Sequence, residues 1–236
     1  MNYYDVNVSL GGWPFRHVPR HTAQECHEDL TALGCKGALV TNNGSILYAD
    51  TREANRELAD MIRPYAGFFY GCATINPTWP HAEQELDECL DVHGFKAVRL
   101  LPRFHGYKLD EAVPFIRYAA KRGVPVVVPF EIVDFRQQGF LEPKTPFYYE
   151  ELVPVAQAVP EATFVWLFCS LPADAPANVY GEFDRFAPGA DRRLLFGSNM
   201  PLRLPASMIK FETEPMDDET RAIIACGNFQ KLFLGK

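Results

Sequence analysis

Short apolar runs recur along the chain, and segments with helical periodicity separate them. Several runs are apolar on both faces, as in Val124–Phe130, which is typical of a parallel strand buried on both sides. The β-branched residues Val126, Val127 and Val128 favour strand over helix because branching restricts χ1. The strands predicted in this way are Tyr4–Leu10, Gly37–Thr41, Phe68–Ile75, Ala97–Leu101, Val124–Phe130, Thr163–Cys169 and Arg193–Gly197.

The intervening segments carry helix signals. The first begins at Thr22, and Glu25 follows three residues later, which is the pattern of a capping box; Gly34 ends it. Apolar stripes and terminal Gly or Pro residues mark the others. The predicted helices are Thr22–Leu33, Thr51–Arg63, Glu83–Val92, Glu111–Arg122, Tyr149–Val159 and Asp217–Leu234.

Strands that alternate with helices predict a parallel sheet covered by helices. Seven or eight such units in 236 residues predict a (β/α)8 TIM barrel, in the α/β class, with residues 1–236 as a single domain. An open doubly wound sheet is the rival fold. It usually carries a Gly-rich phosphate loop after its first strand, and Gly11-Gly12 does not form one.

The barrel is expected to be slightly trimmed around its sixth helix and seventh strand, because residues 170–192 are irregular and rich in proline. Asn178–Phe183 is the candidate for a short seventh strand. Phe183–Ala187 is the candidate for a single helical turn.

Composition narrows the classes of partner and compartment. The chain has 23 basic and 30 acidic residues and a net charge of −7, which argues against nucleic acid or an anionic membrane as a partner. No apolar stretch is long enough to span a bilayer, and the first residues lack the features of a signal peptide. The six cysteines form no C-x-x-C pair. We therefore expect reduced, mostly buried thiols in a cytoplasmic protein.

In a barrel of this type, the active site lies at the C-terminal ends of the strands. We therefore expect a small-molecule ligand at that mouth. The candidate catalytic residues are His105, Glu131 and Asp134, and the candidate substrate-binding residues are Asn7, Trp13, Phe15, Arg16, Arg99, Tyr107, Arg136 and Asn199.

Each role has a structural alternative. His105 suits proton transfer near neutral pH, or it is a loop histidine bonded to backbone. Arg99 and Arg136 match a carboxylate bidentately, or they pair internally with Glu131 or Asp134. Those two acids are in turn either an acid–base pair or salt-bridge partners.

Trp13 and Phe15 form either an aromatic wall of the pocket or part of the core.

The chain resembles the amidohydrolase-related TIM-barrel family of predicted metal-dependent hydrolases, which includes decarboxylases of aromatic and semialdehyde acids. The segment from Asp5 to Ser9 stands where the family has D-x-H-x-H, and Phe196 to Pro201 stands where it has F-G-S-D-x-P. Gly94 to Leu100, Gly123 to Val128 and the last helix extend the match nearly end to end.

The resemblance also shows which family residues are changed. The positions that ligate the metal in active members fall on Asn7, Ser9, Pro129, Phe168 and Asn199. Proline and phenylalanine offer no side-chain donor, amides are poor transition-metal ligands, and a catalytic Zn²⁺ normally needs three His, Asp, Glu or Cys ligands. We therefore expect no cofactor at the usual site. The two asparagines should hydrogen-bond each other, water or a ligand.

A relocated metal site formed by Glu131, His105 and Asn7 is the alternative.

Three further motifs resemble one branch of that family. They are Trp13-Pro14-Phe15-Arg16, the run from Arg99 to Tyr107, and the run from Glu131 to Gln138.

The resemblance implies a hydrolase or a decarboxylase-like lyase that acts on a small carboxylate without the usual metal. The alternative is a catalytically inactive barrel that binds a small metabolite or a protein partner. Homo-oligomers are common among such barrels, but no sequence feature requires one.

Overall fold

Eight parallel strands, hydrogen-bonded in sequence order, form the sheet. The computed structural model describes residues 2–133, 135–143, 148–169, 171–172, 174–183, 192–202 and 204–236. The strands are β1 (Tyr3–Leu10), β2 (Cys35–Asn42), β3 (Phe69–Thr74), β4 (Ala97–Arg99), β5 (Val126–Pro129), β6 (Phe164–Leu167), β7 (Val179–Glu182) and β8 (Leu194–Leu195).

The sheet closes on itself between β1 and the end of β8. Val6 N donates to Phe196 O over 2.9 Å, and Ser9 N donates to Met200 O over the same distance. The fold is therefore the predicted (β/α)8 barrel.

Most predicted helices are confirmed to within a few residues. The Thr22–Glu25 capping box is present at the first of them. The helices are α1 (Ala23–Ala32), α2 (Arg52–Ile62), α3 (Ala82–Asp91), α4 (Pro102–His105), α5 (Val113–Lys121), α6 (Tyr149–Ala158), α7 (Leu204–Thr213) and α8 (Asp218–Ala222), which continues through the π-helical turns Ile223–Gly227 and Gln230–Leu234.

Two of these helices, α4 and α7, were not predicted. Each has a proline in its first turn, Pro102 and Pro205, and proline is tolerated there because its missing N–H has no intrahelical partner.

The expected trimming falls on the barrel's sixth helix, which would follow β6; the helix labelled α6 follows β5. The described residues between β6 and β7 contain no helix, whereas β7 itself is present inside the predicted Asn178–Phe183 segment. Most of the helical turn predicted at Phe183–Ala187 lies outside the described residues. No helix in the described part of the chain has the length and apolar character needed to cross a membrane.

Alternate residues of each strand fill the barrel interior. Leu39, Cys72, Ala97, Val127 and Val165 form its middle with other apolar side chains. Phe229 and Phe233 of the C-terminal helical segment close its N-terminal end. The ring of Phe229 stacks on Tyr4 with centroids 4.9 Å apart.

An irregularity in β1 redirects its last side chains. Asp5 pairs with Ala38 and Val8 pairs with Val40, so three residue steps on β1 match two on β2. An extra residue of this kind is a β-bulge, which shifts the in–out alternation. Val6 belongs to the interior cluster, yet Asn7 also reaches an interior partner.

Asp5 joins the seam where the barrel closes. Its Oδ1 accepts from Asn7 N at 3.0 Å and from Ser198 N at 3.1 Å. The side chain is fully buried, and Oδ2 has no hydrogen-bond partner in the described chain. Burial raises the pKa of Asp5 from 3.8 to about 6, although both hydrogen bonds favour the ionised form.

This pKa shift predicts a pH dependence of stability. The native state holds the Asp5 proton more tightly than the unfolded chain. The stabilisation that comes from protonated Asp5 is therefore fully present below pH 3.8 and is lost as pH rises through about 6. The loss is on the order of 3 kcal/mol. In Asp5→Asn, the free energy of unfolding, measured by urea titration, should decline less over this range than in the wild type. Equal slopes would contradict the assignment.

Candidate active site

A polar layer lies inside the barrel at the C-terminal ends of the strands. It sits above the apolar interior, because the last inward-facing residue of several strands is polar. Ser9 Oγ and Thr41 Oγ1 are 3.2 Å apart within it. The layer comprises Asn7, Ser9, Thr41, Thr74, Arg99 and Glu182, all of them buried.

Arg99 ends β4 and is 4% exposed. Its Nε donates to Thr74 Oγ1 over 3.2 Å, whereas Nη2 has no hydrogen-bond partner in the described chain. No described carboxylate lies within ion-pair distance of Arg99, so the alternative of an internal ion pair between Arg99 and Glu131 is not formed. Burial lowers the pKa of Arg99 to about 10, which leaves the guanidinium charged at neutral pH.

His105 is the last residue of α4, and Gly106, with φ 72°, ends that helix. The His105 Nε2 lies 3.0 Å from Ser45 O. A carbonyl oxygen only accepts, so Nε2 carries the hydrogen and Nδ1 of the neutral ring is a proton acceptor. Nδ1 is buried and has no partner among the described residues. Burial, together with the positive charge of Arg99, lowers the pKa of His105.

Tyr107 follows in the same loop and is buried, which raises the pKa of its hydroxyl.

Glu182, at the end of β7, was missed by the sequence analysis. It is 3% exposed and lies beside two of the family's metal-ligand positions. The Asn7 amide donates to both of its carboxylate oxygens, over 3.0 and 3.2 Å, and Phe168 N donates to Oε2 over 2.8 Å. A charged residue on the inward side of the predicted seventh strand, two residues after Tyr180, was the available signal.

The positions that the family resemblance assigns to metal ligands carry two amides, a hydroxyl, a proline and a phenylalanine. The Asn7 amide is held by Glu182, and the Asn199 amide donates to Ile132 O over 3.4 Å, so the two asparagines do not bond each other. The side chains of Pro129 and Phe168 have no atom that could coordinate a metal. In the described part of the chain, no three His, Cys, Asp or Glu side chains are grouped so as to hold a metal ion.

The loops above this layer form an apolar cap. Trp13 and Phe15 meet edge to face with ring centroids 5.6 Å apart. The Trp13 ring is buried, and its Nε1 has no hydrogen-bond partner among the described residues. The three branch motifs therefore converge, but largely through apolar side chains. The buried members of the cap are Trp13, Val18, Ile46, Leu101, Ile132 and Val133.

The remaining candidates lie nearer the surface. Arg16 Nη2 donates to Gln137 Oε1 over 3.3 Å, and Arg136 is exposed, so Arg136 and Arg99 stand at different depths. Glu131 is half-buried and lines a small cleft beside Leu101. Asp134 lies outside the described residues.

The profile of the amidohydrolase family, described as Amidohydrolase, matches residues 10–188. The chain belongs to the amidohydrolase family. The matched span includes the cap motifs and leaves out the segments at residues 5–9 and 196–201. Proteins of curated function gave no match.

Solved structures resemble this amidohydrolase-family barrel over nearly its whole length. An uncharacterised TIM-barrel protein from Bordetella bronchiseptica is 18% identical, with 98% of each chain covered and a TM-score of 0.76. The 2,6-dihydroxybenzoate decarboxylase from Rhizobium is 16% identical, with 99% of each chain covered and a TM-score of 0.72. The 4-oxalomesaconate hydratase from Rhodopseudomonas palustris is 12% identical, with 98% of this chain and 95% of that chain covered and a TM-score of 0.73. At these identities the likeness shows the shared fold alone.

The position of Glu182 explains the glycine in the last family motif. A Cβ at Gly197 would lie 2.0 Å from Glu182 Oε1. Gly197→Ala should therefore displace the carboxylate and lower the free energy of unfolding by about 1–3 kcal/mol, measured by chemical denaturation. Gly227→Ala is the control, since a Cβ there meets nothing closer than 3.9 Å.

Removing the Glu182 side chain tests the cause. The effect of Gly197→Ala should shrink in a Glu182→Ala background, because the clashing atoms are gone. An undiminished effect would place the strain elsewhere.

Proposed function

We propose that this amidohydrolase-family protein binds a small carboxylate at the barrel mouth and acts on it as a hydrolase or a decarboxylase-like lyase, without the usual divalent metal. The observation that carries the proposal is Arg99. A buried guanidinium without a counter-ion is costly. Its unpartnered Nη2 at the ligand-binding end of the barrel is a ready donor for a carboxylate oxygen.

His105 supports a reaction at this site, because its neutral ring presents an unprotonated Nδ1. It accepts a proton from water or from the ligand, and burial, aided by the charge of Arg99, lowers the pKa of the ring and so favours its neutral form near pH 7. Glu131 and Asp134 remain candidates for further proton exchange, and Arg136 and Arg16 for first contact with an anion at the surface. The chemistry of the neighbours, decarboxylation and hydration of carboxylates, is consistent with this class.

The main competing function is binding without turnover. The apolar cap favours it, since Trp13 and its neighbours bury the mouth in this conformation. Turnover requires that cap to open, whereas slow ligand exchange is enough for a binding protein.

Binding is tested on Arg99. Benzoate, 2,6-dihydroxybenzoate and acetate are titrated by calorimetry into the wild type and into Arg99→Met. The substitution should weaken binding about 10- to 100-fold, because hydrogen bonds to a charged group contribute roughly 1.5–3 kcal/mol. Arg63→Met is the control, because that arginine pairs with Asp60 on the exposed surface. Equal affinity in Arg99→Met, or no binding of any probe to the wild type, would refute the proposed site.

Turnover is tested on His105. Each carboxylate that binds is incubated with the protein, and product is followed by chromatography. The rate should fall with pH only below about 6.5, the ordinary pKa of histidine, because the folded-state pKa is lowered. His105→Asn should abolish the rate and keep binding within a few-fold. Binding without product in the wild type would instead support the binding function.

A further inference from the structure

Thr74, the residue that holds Arg99, lies where two strands separate. The pairing of β2 with β3 ends at Val40 and Gly71, so the backbone of Thr74 has no partner on β2. The Asn55 side chain, from α2, takes that place. Thr74 N donates to Asn55 Oδ1 over 3.0 Å, and Asn55 Nδ2 donates to Thr74 O over 2.9 Å. A side-chain amide thus replaces a strand neighbour and satisfies both backbone groups.

The Asn55 side chain is in turn hydrogen-bonded to Glu85. Its Nδ2 also donates to Glu85 Oε1 over 2.6 Å, and Thr51 Oγ1 donates to the same oxygen over 2.8 Å. Glu85 comes from α3, so the contact ties two helices to the end of β3. The Asn55 side-chain oxygen accepts from Thr74 N, and its amide nitrogen donates to Thr74 O and to Glu85 Oε1. These three hydrogen bonds fix which way the amide points.

All these residues are buried, and the carboxylate is retained at a cost. Burial raises the pKa of Glu85 to about 7, even though the hydrogen bonds from Thr51 and Asn55 lower it. A hydrophobic residue of similar size would fill the space between α2 and α3 without this penalty.

We propose that Asn55 and Glu85 are positioning residues for Arg99, acting through Thr74. The order of contacts runs from Glu85 to Asn55, to the backbone of Thr74, and from the Thr74 hydroxyl to Arg99 Nε. That last bond is the one hydrogen bond that the described structure gives the guanidinium. Its direction therefore depends on where Thr74 is held. The inference rests on the proposed function only where it concerns carboxylate binding.

The contact itself is tested without a ligand. In a two-dimensional ¹H–¹⁵N spectrum, the buried Arg99 Nε–H should give a slowly exchanging signal, identified by its loss in Arg99→Lys. Thr74→Val removes the acceptor and keeps the shape, so it should shift the signal and speed its exchange. Asn55→Ala should do the same, because it frees Thr74. Arg56 is on the same helix as Asn55 and forms an exposed ion pair with Glu88 of α3. Arg56→Ala breaks that pair and should leave the Arg99 signal unchanged.

An unchanged Arg99 signal in folded Asn55→Ala would overturn the inference. Should that variant fail to fold, Glu85→Gln is the milder substitution, since the amide oxygen still accepts from Thr51 and Asn55. It should move the same signal by a smaller amount, and no movement would count equally against the proposal.

The functional consequence is measured with benzoate. Asn55→Ala should weaken its binding about tenfold, in the range typical when an outer partner of a binding group is lost. In a Thr74→Val background it should have almost no further effect, because the route to Arg99 is already broken. Additive effects would indicate a general structural role instead. If the wild type binds no carboxylate, the proposed function fails, while the Arg99 signal still decides the positioning role.

Discussion

A charge inside a closed barrel must be compensated, and this constraint organises the end of the barrel at which the strands have their C-termini. Glu182 satisfies it with donors from Asn7 and from the backbone of Phe168, and Gly197 leaves the room that the carboxylate needs. Arg99 satisfies it only in part, through Thr74. The contrast between these two ions, one enclosed by donors and one short of acceptors, is the basis of the proposed carboxylate site.

The positions that the family resemblance assigns to metal ligands hold side chains with other hydrogen-bond partners in this structure. Asn7 and the backbone of Phe168 now hold a carboxylate of the protein itself, and Asn199 bonds to the backbone of the cap. Chemistry proposed for this protein accordingly relies on Arg99 and His105, which lie on the β4 side of the mouth.

The loops over the mouth of the barrel contain residues that pack in the apolar cap next to His105, a candidate catalytic residue, and the sequence motifs do not distinguish the two. Trp13, Leu101 and Ile132 come from three different loops and pack together, so the cap buries apolar surface and stabilises the segment between Arg99, at the end of β4, and His105. His105 bonds Ser45 through one nitrogen, as expected of a structural loop histidine, and leaves the other without a partner. The structural and functional alternatives therefore apply to different atoms of the same ring.

The sequence by itself determined the barrel, because apolar runs and amphipathic segments alternate with the periods of strands and helices, and these periods depend on local geometry. It also located Arg99, His105, Asn7 and Asn199 along the chain. Only the tertiary structure decided which of these side chains meet. The bulge in β1 turns Asn7 toward Glu182, and the early separation of β2 from β3 brings in Asn55. Such contacts join residues from different elements, and only the folded arrangement of strands and helices brings their side chains together.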